Sequence, residues 1–180
     1  MKVSSDIIFF IKQQEQLRLN AYPDGDGKFS IGYGVQTYED GRAVKQGDTI
    51  TAARAEQLIN FHVVKAAAVV NRYITTKLLQ GQFDALVSFV YNVGEGNFSG
   101  STLLKVINQN PLNLVEIEVQ FKRWIYSTVN GKKVVINGLV KRRQEEAYLY
   151  AQGAIKKDDN TLWFVVLAIG LFLYLKFVKV

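Results

Sequence analysis

Apolar side chains near the start of the chain follow the spacing of an α-helix. Phe10 and Ile11 follow Ile7 by three and four positions, which places all three on one helix face. The pattern predicts a first helix over residues 4–16, with Ser5 or Asp6 as its N-cap because a short polar side chain there can accept a backbone N–H. Lys12 interrupts the apolar run, so no secretory signal is expected here.

The next segment changes from helical to strand periodicity. Residues 22–27 are dense in turn-forming residues, and the six positions after Lys28 alternate between large and small side chains. The large ones are Phe29, Ile31 and Tyr33, and the small ones are Ser30, Gly32 and Gly34. This period of two predicts a half-buried strand in a small β lobe that covers about residues 20–50.

Helical spacing returns at Thr51 and dominates the rest of the domain. Thr51 is the expected N-cap of a long helix, and further helices are predicted over residues 81–93, 101–109, 112–126 and 138–152. Residues 81–93 are apolar on nearly every side, as in a helix at the centre of a bundle. We therefore expect an α+β domain over residues 1–153, with a mostly helical large lobe and the small β lobe.

The carboxy-terminal residues have a different composition. Gly153 is the expected end of the last helix, and residues 154–160 form a short polar linker. Residues 162–175 are uninterrupted apolar positions, with Trp163 and Tyr174 near the two ends, where interfacial aromatic residues belong. We predict a transmembrane anchor over residues 161–180. The alternative is a buried core helix.

Composition narrows the possible chemistry. The chain has no cysteine, which excludes disulfides and thiolate metal sites, and its net charge of +6 suits an anionic partner. The basic residues are scattered, so nucleic acid is not expected to bind. A calcium loop starting at Asp24 would need glycine and glutamate where Phe29 and Val35 stand. His62, the only histidine, is expected on a helix face, and no metal or cofactor is predicted.

Two carboxylates stand out as candidates for acid and base chemistry. Glu15 is predicted at the carboxyl end of the first helix, where the helix dipole would raise the pKa of the carboxyl, as a general acid needs. Asp24 lies in a predicted exposed turn and is expected to stay ionised. Ser30 shares its predicted strand face with glycines, so a ligand could approach there and the hydroxyl could help Asp24 hold water. Spacing alone also allows ordinary surface charges at both carboxylates and a solvated strand residue at Ser30.

The segment from Glu15 to Gly34 resembles the catalytic segment of phage-type lysozymes. That family is marked by Glu, eight residues, Asp, five residues and then Thr, and Glu15 and Asp24 match at this spacing. Ser30 stands in the threonine position, which keeps the hydroxyl, and Val35 stands where the family commonly has histidine. The resemblance implies that Glu15, Asp24 and Ser30 are the catalytic residues.

Further landmarks of the same family follow in order along the chain. Residues 82–94 resemble the family's central buried helix, residues 101–104 the start of the next one, and residues 121–124 and 138–147 its last two landmarks. The resemblance implies that an arginine of the final helix, Arg143 or Arg142, pairs with the catalytic glutamate. The residues expected to contact substrate are Tyr22, Gly32, Tyr33 and Asn92.

The activity implied by the resemblance is hydrolysis of the β-1,4 bond between N-acetylmuramic acid and N-acetylglucosamine in peptidoglycan. It also implies inversion, with carboxyls roughly 6.5–9.5 Å apart. Because the predicted anchor would tether the enzyme, we expect a virion membrane protein, with capsid proteins as candidate neighbours, that opens the wall when infection begins. The alternatives are an endolysin tethered to the host inner membrane for release, and a catalytically silent glycan-binding or structural virion module.

Overall fold

A computed structural model describes residues 1–24, 27–129 and 131–155 of the chain. These residues form seven helices and two β-hairpins joined by loops, which confirms the expected α+β class. In chain order they are α1 (Ser5–Gln14), β1 (Arg18–Pro23), β2 (Phe29–Gly32), α2 (Ala52–Tyr73), α3 (Gln80–Val93), α4 (Glu95–Ser99), α5 (Thr102–Gln109), α6 (Leu114–Lys122), β3 (Tyr126–Val129), β4 (Lys132–Val135) and α7 (Asn137–Ile155).

Helix α1 is shorter than predicted and begins from a different cap. Ser4, rather than Ser5 or Asp6, is the N-cap, and its hydroxyl accepts the Ile7 amide at 3.3 Å. At the other end Glu15 leaves the helix in an extended conformation, although its own N–H still donates to the carbonyl of Ile11 at 3.1 Å. Buried Ile7 and Ile11 fix α1 on the large lobe, so its carboxyl end has a defined position.

The small β lobe contains the β1–β2 hairpin and a short core. The strands are antiparallel, with Tyr22 opposite Ser30. The predicted alternation through Gly34 is wrong after Gly32, where φ turns positive and the chain folds back. Ile31 and Val35 then exchange two backbone hydrogen bonds of 2.9 and 3.0 Å. Ile31 and Val35 are both buried in the core of this lobe.

Helix α2 belongs to the cores of both lobes. Thr51 caps it as predicted, accepting the Arg54 amide at 3.1 Å. Leu58 is buried with the small-lobe residues, whereas its neighbour Ile59 is buried in the core of the large lobe. A single helix of 22 residues therefore connects the lobes through side chains as well as through the backbone.

Helix α3 is the centre of the large lobe, as its composition predicts. Every residue from Gln82 to Val90 is buried. It crosses α7 at two glycines, where a Cβ built on Gly81 would lie only 2.7 Å from the Cα of Gly153. The backbones can come this close because neither residue has a side chain.

The carboxy-terminal half differs from the sequence prediction in three places. Helix α6 ends at Lys122 rather than near residue 126, and the chain continues into the β3–β4 hairpin, which the periodicity does not predict. The periodicity does not predict helix α4 either. The predicted end of the last helix at Gly153 is also wrong, because α7 continues to Ile155 and Gly153 serves the contact with α3.

The predicted linker and anchor lie outside the described residues, apart from Ala154 and Ile155 of α7. Within residues 1–24, 27–129 and 131–155, none of the helices has the length and apolar composition needed to cross a bilayer. The division into domain, linker and anchor stays a prediction.

Candidate active site

Glu15 lies at the junction of α1 and β1, one residue after the last residue of the helix. Its carboxylate is close to the backbone of Gly34, where a side chain would fit only if the carboxylate moved: a Cβ at Gly34 would lie 3.1 Å from Glu15 Oε2. Gly34 also has a φ of +77°, which L side chains rarely adopt. The turn after β2 therefore depends on glycine both for its conformation and for the space beside Glu15.

Arg142 is the arginine that pairs with Glu15. Its Nη1 donates to Glu15 Oε1, with side-chain exposures of 5% for Arg142 and 21% for Glu15. The pair joins α7 to the end of α1, and Gln14 adds a second tie through its amide, which donates to Glu145 Oε2 at 2.6 Å. Glu15 is therefore held by α7 while part of its carboxyl remains accessible.

Arg143, the other predicted partner, points elsewhere. It is fully buried, and its Nη2 donates to Glu146 Oε1 and to Asn92 Oδ1, both at 3.0 Å. Its Nε lies 2.9 Å from Glu146 Oε2, a contact whose angle does not suit a hydrogen bond. Burial lowers the pKa of Arg143 to about 10, against the opposing effect of Glu146.

Asp24 and Ser30 meet as the sequence predicts. Asp24 follows β1, and its Oδ2 accepts the hydroxyl of Ser30 and the side-chain amide of Gln36, the latter at 3.1 Å. Ser30 is completely buried, so the alternative of a solvated strand residue is wrong. The two donors hold the Asp24 carboxylate in one orientation, and no sequence signal marks Gln36 as one of them.

Glu15 and Asp24 line the same cleft, which has a volume of about 540 Å³. Tyr22 and Tyr91 also line it, from β1 and α3. Burial, and to a smaller extent the charges of Asp24 and Glu15, raise the pKa of Tyr22. Burial also raises the pKa of Tyr91, and the charge of Glu15 adds to this effect. Both phenols therefore keep their protons at neutral pH. The hydroxyl of Tyr91 donates a hydrogen bond of 2.6 Å to the backbone carbonyl of Tyr33.

The four predicted substrate contacts divide into two pairs. Tyr22 and Asn92 line the cleft, but Gly32 and Tyr33 do not. Gly32 faces α2, where a Cβ would lie 3.4 Å from that of Ala55, and the buried Tyr33 donates its hydroxyl to Glu56 at 2.9 Å. The reversal of the chain after Gly32 accounts for the difference, because it turns these residues toward the helices.

Residues of α2, of the end of α3 and of the start of α4 also line the cleft. His62 is on α2 as predicted, and its Nε2 lies 2.8 Å from the carbonyl of Thr37. Burial lowers the pKa of His62, so the ring is neutral at pH 7. Lys65 of α2 and Glu95 of α4 are also among the lining residues. Tertiary packing brings these residues together, and no local sequence signal marks them.

The arrangement suits acid and base chemistry on a glycosidic bond. One carboxyl is partly buried against a guanidinium, and a second carboxyl on the same cleft is fixed by a hydroxyl and an amide. Two carboxyls in different surroundings on one cleft are what glycoside hydrolysis requires. The residues that the structure describes contain no group of three or more His, Asp or Glu side chains that could hold a metal ion.

Comparison with known proteins gives a consistent result. The family model described as phage lysozyme matches residues 12–146. The chain is 37% identical over 150 residues to an endolysin of Acyrthosiphon pisum secondary endosymbiont phage 1, covering 83% of this chain and 98% of that protein. It is 36% identical to a SAR-endolysin of Bacteriophage PS119, covering 73% of each.

A solved structure agrees with these relatives. The endolysin from Escherichia coli O157:H7 phage FAHEc1 is 41% identical, with a TM-score of 0.74 and coverage of 83% of this chain and 93% of that one. Two further endolysins, from Bacillus phages PZA and B103, are longer, and the chain covers only 57% and 56% of their length. Sequence, fold and cleft agree that the chain belongs to the phage lysozyme family and is a muramidase-type glycoside hydrolase.

Proposed function

We propose that the chain is an endolysin that cleaves the β-1,4 bond between N-acetylmuramic acid and N-acetylglucosamine. The observation that carries the proposal is that Glu15 and Asp24 line one cleft, each held by its own partners. Relatives named endolysin, which match most of the chain, support the same activity.

In this mechanism the two carboxyls have separate tasks. Protonated Glu15 donates to the glycosidic oxygen as the bond breaks, so that the leaving sugar departs as an alcohol. Asp24, oriented by Ser30 and Gln36, positions the water that attacks the anomeric carbon and accepts its proton. Attack from the face opposite the leaving group gives inversion, as the family resemblance implies.

The release role has more support than a role at the start of infection. The virion hypothesis, with capsid proteins as neighbours, depends on residues 161–180 alone. Relatives named endolysin or SAR-endolysin favour release, and they suit an enzyme tethered to the host inner membrane through those residues. Peptidoglycan is then the substrate, and the lipid bilayer is the second partner.

The test replaces the carboxyl of Glu15 by an amide, which is nearly isosteric and cannot donate the proton. We expect Glu15→Gln to keep its fold by circular dichroism and to lose about 10²- to 10⁴-fold in clearing of a peptidoglycan suspension. The matched control is Glu118→Gln, which removes an exposed carboxylate of α6 paired with Lys122.

The outcomes separate an enzyme from a glycan-binding module. A zymogram on cell walls shows clearing by the unaltered chain and by Glu118→Gln if the chain is catalytic. Undiminished clearing by Glu15→Gln would reject Glu15 as the acid. Binding of peptidoglycan without any clearing by the unaltered chain would instead favour the silent module.

A further inference from the structure

A second carboxylate lies behind the catalytic one. Glu146 is completely buried on α7, one helical turn after Arg142, and it does not reach the cleft. The mechanism proposed above does not use it. A buried carboxylate is costly unless it is paired, so its partners indicate what it does.

Three donors converge on Glu146. The hydroxyl of Ser88 donates to Glu146 Oε1 at 2.7 Å, and Arg142 Nε donates to the same oxygen at 3.2 Å. Arg143 Nη2 adds a third bond at 3.0 Å. The carboxylate is therefore fixed between α3 and α7.

Arg142 connects this buried carboxylate to the active site. The Nε of its guanidinium is bound to Glu146, while its Nη1 is bound to Glu15. A guanidinium is planar and rigid, so a group that fixes its Nε also fixes the direction in which its Nη1 points. Glu146 and Glu15 therefore share one cation.

The two arginines, Arg142 and Arg143, are balanced in charge only when both Glu15 and Glu146 are ionised. Arg142 and Arg143 bring two positive charges, and both side chains are almost completely buried. Burial raises the pKa of Glu146, and the two arginines oppose that effect. Ionised Glu146 cancels one of the two charges, so that Glu15 does not face both.

We propose that Glu146 is a positioning residue that tunes how readily Glu15 holds its proton, by sharing Arg142 with it and neutralising Arg143. The proposal rests on the proposed function, in which Glu15 is the general acid. Without the charge of Glu146, two guanidiniums would stabilise the Glu15 carboxylate, and Glu15 would lose its proton at lower pH.

The other ionisable groups near Glu15 are not altered when the charge of Glu146 is removed. Tyr91 of α3 and Tyr22 of β1 both interact with its charge, and both keep their protons near neutral pH. Asp24 lies on the same cleft, and Lys12 of α1 is paired with Glu56. Glu145 of α7, which accepts the Gln14 amide, also stays unchanged. The buried groups of α7 whose charge can be changed behind Glu15 are Arg142, Arg143 and Glu146.

The experiment measures the basic limb of the pH–activity profile, where activity falls as the general acid loses its proton. Glu146→Gln keeps the size of the side chain and removes its charge. We expect this limb to move to lower pH by on the order of one unit. Arg143→Gln removes a positive charge and is expected to move the limb to higher pH, and the double variant is expected to return close to the unaltered chain.

A structural role alone would not give shifts of opposite sign that cancel. Glu118→Gln is the matched control, because it removes an exposed carboxylate and is expected to leave the limb in place. A folded Glu146→Gln variant whose limb coincides with that of the unaltered chain would overturn the proposal. If Glu146→Gln does not fold, the comparison of Arg143→Gln with the double variant decides: a limb at lower pH in the double variant supports the proposal, and equal limbs overturn it.

A titration without substrate separates this proposal from the proposed function. The carboxyl resonance of Glu15, assigned in ¹³C-labelled protein by its absence from Glu15→Gln, is followed against pH in the same variants. Shifts in this titration support the role of Glu146 even if the protein clears no peptidoglycan, and their absence contradicts it even if the protein is active.

Discussion

At Gly34 the absence of a side chain matters for the proposed catalytic centre. A Cβ there would lie 3.1 Å from Glu15 Oε2, and the φ of +77° disfavours any L side chain. Gly41 gives a natural comparison, because its φ is +84° and nothing lies within 4 Å of a Cβ built on it. The two glycines share the backbone requirement, but only Gly34 has a neighbour to displace.

This difference allows the effect of backbone strain to be separated from the effect of displacing the Glu15 carboxylate. We expect Gly34→Ala and Gly41→Ala each to lose about 1–2 kcal/mol of unfolding free energy, the cost of a left-handed residue with a Cβ. Only Gly34→Ala is expected to lower kcat, by roughly tenfold to a hundredfold, because it pushes the Glu15 carboxylate aside. Urea unfolding and turbidity assays measure the two effects, and equal activity of the two variants would contradict the steric argument.

The sequence predicts the proposed catalytic residues, but it does not predict the residues that support them. Glu15, Asp24 and Ser30 lie within sixteen positions of one another, so the local turn and hairpin decide their proximity. The choice between Arg142 and Arg143 depends on the rotation of α7 about its own axis, since adjacent helical residues point about 100° apart. That rotation is set by the packing of α7 on α3, which is a tertiary property.

At the scale of elements, the crossing of α3 and α7 fixes the position of Arg142. Gly81 and Gly153 let the two backbones approach so closely that a Cβ on Gly81 would lie 2.7 Å from Gly153 Cα. In the sequence, Gly153 looks like an ordinary helix terminator. Its structural role is close approach, and no signal in the local sequence distinguishes the two.

Substitution at the crossing is expected to separate the helices. Gly81→Ala should lower the free energy of unfolding by about 1–3 kcal/mol, because the extra methyl meets backbone that cannot move aside as a side chain can. Gly138→Ala, near the start of α7, has no neighbour within 4 Å and is expected to raise stability by up to about 1 kcal/mol. Thermal or urea unfolding gives both values, and a neutral or stabilising Gly81→Ala would contradict the close-packing argument.

The elements that the periodicity misses have identifiable causes. The β3–β4 hairpin has only four residues in each strand, and both strands are exposed where described, so the apolar alternation of a half-buried strand is absent. The dipeptide Asn130–Gly131 is a sequence typical of hairpin turns, and it is the feature from which this hairpin could be predicted. Helix α4, with five residues, is too short to show a helical period.

At the scale of the whole molecule, the cleft joins residues from both lobes. Glu15 is held by α7 of the large lobe, and Asp24 and Ser30 belong to the β1–β2 region of the small lobe. The proposed membrane anchor adds a third part to this plan. It follows α7 in sequence, and α7 is also the helix whose Arg142 pairs with Glu15, the proposed general acid.

The anchor is testable with vesicles. We expect the full chain, reconstituted with bacterial lipids, to float with the vesicles in a density gradient. Replacing Leu167 and Leu171 by glutamate is expected to abolish flotation, because charges at the centre of a bilayer cost several kcal/mol in total. The matched control places glutamate at Leu112 and Val115, two exposed apolar residues of the domain, and is expected to float. Failure of the full chain to float would reject the anchor.

The shared helix α2 has a consequence for building hybrids between members of the family. Since Leu58 belongs to one core and Ile59 to the other, a fusion joint placed at Thr51 would graft a foreign small lobe onto a helix shaped for the original. A joint placed after Tyr73 keeps Leu58 with its own lobe, but it separates the large-lobe face of the helix, which includes Ile59 and Val63, from its original partners. Exchanges of substrate preference between relatives are therefore expected to need matched side chains on one face of α2, whichever boundary is chosen.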